Sequence, residues 1–348
     1  MQELLENDST LEASTASQGA NQNPQPNLFD WADEYILTDD EIKAISEPEW
    51  IIENLIISGH VILIPAEPNA GKTTIFFHLA GEMIKQGHHV YYVNTDISGG
   101  DAKPLASSAK DKGINLLLPD MKLGLSMQSV IAQLTKLSEA NESLNNTVFI
   151  FDTLKKMLNV LNKSDAKCFF QLIRKLSAKG MTIILLAHTN KYTDNEGKPI
   201  YEGTGDMRSD VDELIYLIPQ KHSDGSMTVT TAPDKVRGSF EPITFNIDRN
   251  RNVSIASQAV DTALANQVQS ELSNDQHVID AIKEAIQSGA ETQKEIIELC
   301  ADVNVGERLV KKVLVKYGHD GSTDSVYPIF WNKAQGGKNS YIYSLSNC

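Results

Sequence analysis

Val61-Ile62-Leu63-Ile64, Val90-Tyr91-Tyr92-Val93, Val148-Phe149-Ile150-Phe151 and the stretch from Met181 to Ala187 are near-continuous apolar runs. Runs of this length read as strands buried on both faces rather than as half-exposed alternating strands. Between them the spacing turns helical over 103–112, 127–140 and 166–179, with a further helix starting at Ile75 and a short strand over 115–118. This alternation predicts an α/β fold, a mainly parallel sheet with helices on both faces. Strands at 213–219, 226–231 and 242–248 extend it, the last with period-two alternation. The polar, glycine-containing stretch 191–206 reads as a loop too long to be a mere connector.

The pattern changes at both ends. Residues 1–28 are rich in Gln, Asn, Ser and Glu with few apolar side chains, so this tail cannot offset the entropy of ordering and is expected to be disordered. Thr38 followed by Glu41 predicts a capped helix start, the lead-in to an α/β domain over 29–251. Residues 252–273 read as a linker with some helical character. Helices over 275–287, 292–300 and 306–317 then precede aromatic runs at 327–331 and 341–345, and Gln335-Gly336-Gly337-Lys338 between the runs predicts a hairpin. Three helices and a hairpin is the layout of a small α+β winged helix-turn-helix domain, here over 274–348.

A length of 348 residues is enough for two domains and a sizeable core. No run approaches the roughly 18 apolar residues of a membrane span, and the polar, acidic N-terminus lacks a secretory pattern, so no membrane partner and a cytoplasmic location are expected. Cys168, Cys300 and Cys348 are scattered and odd in number, which fits a reducing compartment without a structural metal. His88-His89 reads as a turn, because two neighbours rarely converge on one ion without other ligands. The net charge of −15 argues against nucleic acid until it is divided along the chain. Residues 1–58 carry −12, residues 59–273 carry −1 and residues 274–348 carry −2. A near-neutral body can hold a local basic groove, because steering follows where charges sit.

Ala66-Glu67-Pro68-Asn69-Ala70-Gly71-Lys72-Thr73-Thr74 lies between the first buried strand and its helix. That is the context of a phosphate-binding loop, in which successive backbone N–H groups and a helix N-terminus form a positive concavity. Lys72 is expected to reach the β and γ phosphates of ATP, and Thr73 to ligate Mg²⁺. Ala66 stands where the usual pattern has Gly. About eighty residues on, the run 147–152 ends in Asp152, an acid delivered by a central strand beside the metal that Thr73 holds. In the third C-terminal helix Arg308, Lys311, Lys312 and Lys316 fall on one side and Leu309, Val310, Val313, Leu314 and Tyr317 on the other, with Lys333 and Lys338 near the wing tip. Two readings stay open here: phosphate contact with DNA by helix and wing, or a protein-docking face with solvated lysines.

Over roughly 50–250 the chain resembles the RecA-like superfamily of P-loop, AAA-like ATPases, and within it the RepA-type and DnaB-type hexameric helicase branch. Ala66 to Thr73 looks like Walker A and Val148 to Asp152 like Walker B. Asp96 falls where that family places an acid, usually Glu, that orients or deprotonates the attacking water. His188 matches the polar sensor position, Gly203 to Asp212 the end of the second DNA-binding loop, and Lys235-Val236-Arg237-Gly238 the K-x-R finger that reaches a neighbour's nucleotide. The resemblance implies an ATP- and Mg²⁺-dependent homo-oligomeric ring, a hexamer, acting as a replicative helicase of a mobile element or phage on single-stranded or forked DNA. Lys235 and Arg237 would then act in trans. Lys155, Lys156 and Lys163, with Lys191, Lys198 and Arg208, are the expected strand-tracking cations. Other replication proteins are candidate partners of the tail or the winged helix. Two further readings stand beside the motor: an ATP-gated DNA-binding regulator or loader, and a recombinase-like filament ATPase.

Overall fold

The computed structural model describes residues 28–45, 49–97, 99–157, 163–193, 199–201, 207–321, 325–337 and 340–346. The chain forms two compact units, Met1–Glu47 and Pro48–Cys348. In the first, a 3-10 turn over Asp30–Tyr35 precedes helix α1 (Asp39–Ala44). Its start is the expected capping box: the Glu41 carboxylate accepts from the Thr38 N–H at 2.7 Å and the Glu41 N–H donates to Thr38 Oγ1 at 3.3 Å.

The second unit opens with a small hairpin, β1 (Trp50–Ile52) and β2 (Ile56–Ile57). There follow β3 (Val61–Ala66), α2 (Lys72–Lys85), β4 (His89–Asn94), α3 (Gly99–Lys112), β5 (Asn115–Leu117), α4 (Met127–Glu139), β6 (Thr147–Asp152), α5 (Leu154–Met157) and α6 (Lys163–Ser177). The sheet continues through β7 (Thr182–Thr193), β8 (Pro199–Tyr201), the short α7 (Met207–Asp210), β9 (Glu213–Lys221), β10 (Met227–Lys235), β11 (Thr244–Ile247) and β12 (Val253–Ile255). Spatial order is β12-β11-β10-β9-β3-β7-β6-β4-β5, with β8 pairing β7. From β9 to β5 all neighbours are parallel, and β10 to β12 add an antiparallel edge. The expected α/β architecture, a mainly parallel sheet with helices on both faces, is therefore present.

Continuous apolar strands arise because both faces are covered. On β3, Ile62 and Ile64 join one core with α2, while Val61 and Leu63 join a second core with α4 and α6. Val148 and Ile150 against Phe149 and Phe151, and Ile184 and Leu186 against Ile183 and Leu185, divide the same way.

Three stretches differ from expectation. The stretch 191–206, expected as a loop, begins as strand: β7 runs on to Thr193 and β8 pairs back on it, Thr189 facing Tyr201. A two-stranded ribbon is held by backbone pairing, so polar side chains do not forbid it. Residues 202–206 lie outside the described part. The linker expected at 252–273 contains β12 and the first turns of the 26-residue helix α8 (Thr262–Gln287), started by Asp261, whose carboxylate accepts from the Leu264 N–H. Finally, α3 begins at Gly99 rather than near Lys103.

The C-terminal part packs α8, α9 (Gln293–Asp302) and α10 (Glu307–Lys316) around Ile282, Ile296, Val313, Tyr317 and Trp331, all fully buried. Its strands are β13 (Gly318–His319), β14 (Trp331–Gln335) and β15 (Tyr341–Leu345). The hairpin starts at Trp331, later than the aromatic run suggested. Tyr327 and Phe330 instead cap the core, their rings 5.6 and 5.7 Å from Tyr317. Lys316 also departs from the cationic face, because it turns inward to Glu271 (2.5 Å) and Asp275 (2.7 Å) of α8.

Candidate nucleotide site

A parallel sheet delivers the C-terminal ends of neighbouring strands to one edge. Register pairs Ala66 with His188, Asn94 with Asp152 and Asp152 with Leu186, so the segments after β3, β4 and β6 open on that edge beside His188, from which β7 runs on beyond it. The phosphate-binding loop from Glu67 to Thr74, Asp96, Asp152 and His188 line one cleft there.

Ala66 is the last residue of β3 and 1% exposed. The left-handed positions of the loop are Asn69 (φ 61°) and Gly71 (φ 82°), so the conformational freedom of glycine is not needed at 66. At Gly71 it is needed twice, since a Cβ there would also stand 2.5 Å from Ile247 Cδ1. The Lys72 ammonium donates to the carbonyls of Ala66 and Glu67 at 3.0 Å each and lies 3.3 Å from His188 Nδ1. A lysine ammonium only donates, so the fitting histidine tautomer carries its proton on Nε2. Burial pushes Lys72 down to about 8, against the pull of Asp152, Glu67 and Asp96.

Asp152 gathers neutral donors on one oxygen. Thr73 Oγ1 donates to Oδ2 at 2.7 Å, Tyr92 Oη at 2.8 Å and Asn94 Nδ2 at 3.4 Å. Burial pushes its carboxyl above the usual range, and the Thr73 and Tyr92 bonds and the Lys72 charge offset this only in part. A hydroxyl and a carboxylate in contact, the carboxylate bonded by neutral donors, are the hard oxygen donors that Mg²⁺ takes. The pair fits that ion, which would bring positive charge to the phosphates. Asn94 Oδ1 meanwhile accepts from the N–H groups of Asp96 (2.9 Å) and Ile97 (3.0 Å), which holds the turn that carries Asp96.

The other expected residues divide. Lys155 is exposed and lines the same cleft. Lys235 and Arg237 do not line it. Lys235 pairs with Leu214, three residues before the Leu217 that faces Ala66, and donates to the carbonyls of Arg208 (2.8 Å) and Val211 (2.6 Å). Arg237 reaches Asp212 Oδ1 at 3.0 Å. Arg208 pairs with Asp234 at 2.9 Å. Arg308, Lys311 and Lys312 are exposed on α10, Lys311 bonded to Glu307 at 2.6 Å. Lys198 and Lys338 fall outside the described residues, as do the side chains of Lys156, Lys163 and Lys191.

Sequence reasoning missed Tyr92 and Asn94, which look like ordinary residues of a buried strand. The available signal was alternation: Asn94 ends β4 on the face of Tyr92, and parallel pairing puts it beside Asp152. Arg251 and Asn266, from beyond the P-loop half of the sheet, also line the cleft and carried no local signal.

Residues 25–194 match the family described as AAA domain. No curated protein matches the chain. Among solved structures, the flagellar accessory protein FlaH from Methanocaldococcus jannaschii is similar at 18% identity and a TM-score of 0.41, over 59% of this chain and 92% of that one. Among the described residues no helix is long and apolar enough to cross a membrane. The strand-loop-helix at Ala66 to Lys85 and the Thr73–Asp152 pair have the form of a P-loop nucleotide site, and both fall within the stretch that is similar to the AAA domain.

Proposed function

We propose that this protein is an ATP-hydrolysing, oligomeric DNA motor, a replicative helicase working on single-stranded or forked DNA. The observation that carries the reading is the separation of Lys235 and Arg237 from their own chain's cleft. A cation pair that follows the sheet, yet stays away from the phosphates it would stabilise, fits a site completed by a neighbouring subunit. Lys72 and the N-terminal N–H groups of α2 bind the phosphates, Thr73 and Asp152 hold Mg²⁺, and Asp96 orients the attacking water. His188, touching Lys72 from within β7, relays the state of the phosphates into the β7–β8 ribbon. The C-terminal part is a winged helix, with Arg308, Lys311 and Lys312 as its DNA-facing cations.

A second reading, an ATP-gated DNA-binding switch or loader, is favoured by one feature: α8 runs unbroken from the nucleotide cleft, at Asn266, into the C-terminal core. ATP turnover with and without single-stranded DNA, alongside mass determination with a non-hydrolysable analogue, separates the two. DNA-stimulated turnover by a hexamer-sized assembly, with strand displacement on a fork, is the expected result. An inert monomer or dimer indifferent to DNA would sink the motor and leave the switch.

A further inference from the structure

One wall of the cleft comes from parts of the chain that a phosphate-binding loop does not require. Strand β9 overshoots β3: Leu217 faces Ala66, and Ile218 and Pro219 continue along the cleft. Helix α8 is seated on those two residues. Thr262 Oγ1 donates to the Ile218 carbonyl at 2.8 Å and Asn266 Nδ2 to the Pro219 carbonyl at 2.9 Å, from positions one turn apart on the helix. Asn266 itself lines the cleft.

Arg251 joins this wall from the turn between β11 and β12. Asp248 builds that turn, its carboxylate accepting from the N–H groups of Asn250 and Asn252 at 2.8 Å each and from the Asn252 amide at 2.7 Å. Arg251 sits in the left-handed region at φ 66°, its N–H donating to the Asp248 carbonyl at 3.0 Å. The strand before the turn is braced on the phosphate loop through Ile247, the side chain that leaves no room for a Cβ at Gly71. Both residues are thus presented by rigid elements.

Their chemistry is specific. One amide hydrogen of Asn266 is committed to Pro219, which fixes the orientation of the amide and leaves one N–H and Oδ1 as a donor–acceptor pair. That pair matches an adenine edge, with its amino donor beside a ring-nitrogen acceptor, whereas guanine offers two acceptors at the corresponding place. The guanidinium of Arg251 is a flat cation suited to the face of a purine. We propose that Asn266 and Arg251 form the nucleobase subsite of this cleft and that it selects adenine over guanine nucleotides. The proposal rests on the reading of Ala66 to Thr74 as an ATP-binding loop, and it makes α8, whose later residues Val278, Ile279 and Ile282 build the C-terminal core, the element that reads the base.

The test is binding of ATP, GTP and inorganic tripolyphosphate by the full-length protein, by titration calorimetry. The wild type is expected to prefer ATP over GTP by about tenfold or more, on the scale of one bidentate amide–adenine contact. Asn266→Ala should erase that preference by weakening ATP alone. Arg251→Gly, at a φ that suits glycine, should weaken both nucleotides alike. Neither change should alter tripolyphosphate affinity. Equal wild-type affinity for ATP and GTP, or an Asn266→Ala protein that keeps the wild-type ratio, would overturn the proposal. If Asn266→Ala fails to fold, Arg251→Gly decides: loss of tripolyphosphate together with the nucleotides would reassign Arg251 to phosphate and overturn it. A wild type that binds none of the three, or a Lys72→Ala protein that binds all of them normally, defeats the phosphate-loop reading itself.

Discussion

Two buried carboxylates, Asp152 and Asp212, lie toward opposite ends of the same sheet and are held in opposite ways. Asp152 receives a hydroxyl, a phenol and an amide, all neutral. Asp212 receives the Val61 N–H at 2.9 Å, the Arg174 guanidinium at 2.7 and 2.9 Å, and Arg237 at 3.0 Å. Burial raises both carboxyls, but at Asp212 the bonds from Arg174 and Val61 and the charges of Arg174 and Arg237 outweigh it and hold the group below its usual range. At Asp152 burial wins. The difference separates a site from a brace. An acid whose charge is already matched by arginines contributes to the fold, whereas an acid left with neutral donors is poised for a cation that arrives with substrate.

Arg237 is where this contrast is sharpest, because it touches the brace and is also the candidate finger. Arg237→Ala is expected to cut ATP turnover by about 10³-fold or more while leaving assembly and melting temperature nearly unchanged, since Arg174 still matches Asp212. Phosphate release at saturating ATP, beside a thermal melt, checks it. A wild-type rate would return Arg237 wholly to the brace.

Asp152→Asn should lower turnover by roughly 10²- to 10³-fold, the scale of one preorganised electrostatic partner, and abolish the Mg²⁺ dependence of ATP binding. Its stability should hold or rise, because a charge pushed upward by burial is removed. Asp212→Ala inverts this pattern. Leaving two guanidiniums and the Val61 N–H unmatched should cost about 3 kcal/mol in urea unfolding while ATP affinity in the folded fraction is retained.

The pH dependence of ATP binding reports on Lys72. Its proton is lost at about 8 in the free protein, against 10.5 for an ordinary lysine. Phosphate binds the charged form, so above pH 8 binding must take up a proton and affinity should fall by up to about tenfold per pH unit, with proton uptake visible in calorimetry across buffers of different ionisation enthalpy. For folding the sign runs the other way: the unfolded chain holds this proton more tightly, so this residue's contribution to stability rises between pH 8 and 10.5. The smallest effect is expected from Ala66→Gly. Restoring the usual first residue of the motif should cost about 0.5 to 1 kcal/mol of stability, as glycine does inside a strand, and leave ATP affinity unchanged.

Much of the α/β part was legible because a strand buried on both faces must be apolar throughout and a helix must show its period. That rule located the strand ending at Asp152 to the residue and the starts of the principal helices to within a few positions. It had less to work with where backbone pairing or capping decides, as in the β7–β8 ribbon and the start of α8. Lys316 shows the limit of helical projection, because a long side chain at the border of a face can turn toward either side, and two acids on α8 settle which.

By itself the sequence determined the phosphate-binding loop, the strand that ends in Asp152, the parallel sheet and the three-helix C-terminal pattern, since each is a local period or a contiguous motif. Only the tertiary structure decided that Tyr92 and Asn94 bond or adjoin Asp152, that Asp212 is matched by arginines and Asp152 is not, and that Arg251 and Asn266 line the same cleft as the phosphate-binding loop. These are relations among residues far apart in the chain, and strand order, register and the seating of α8 bring them together, which no local spacing encodes.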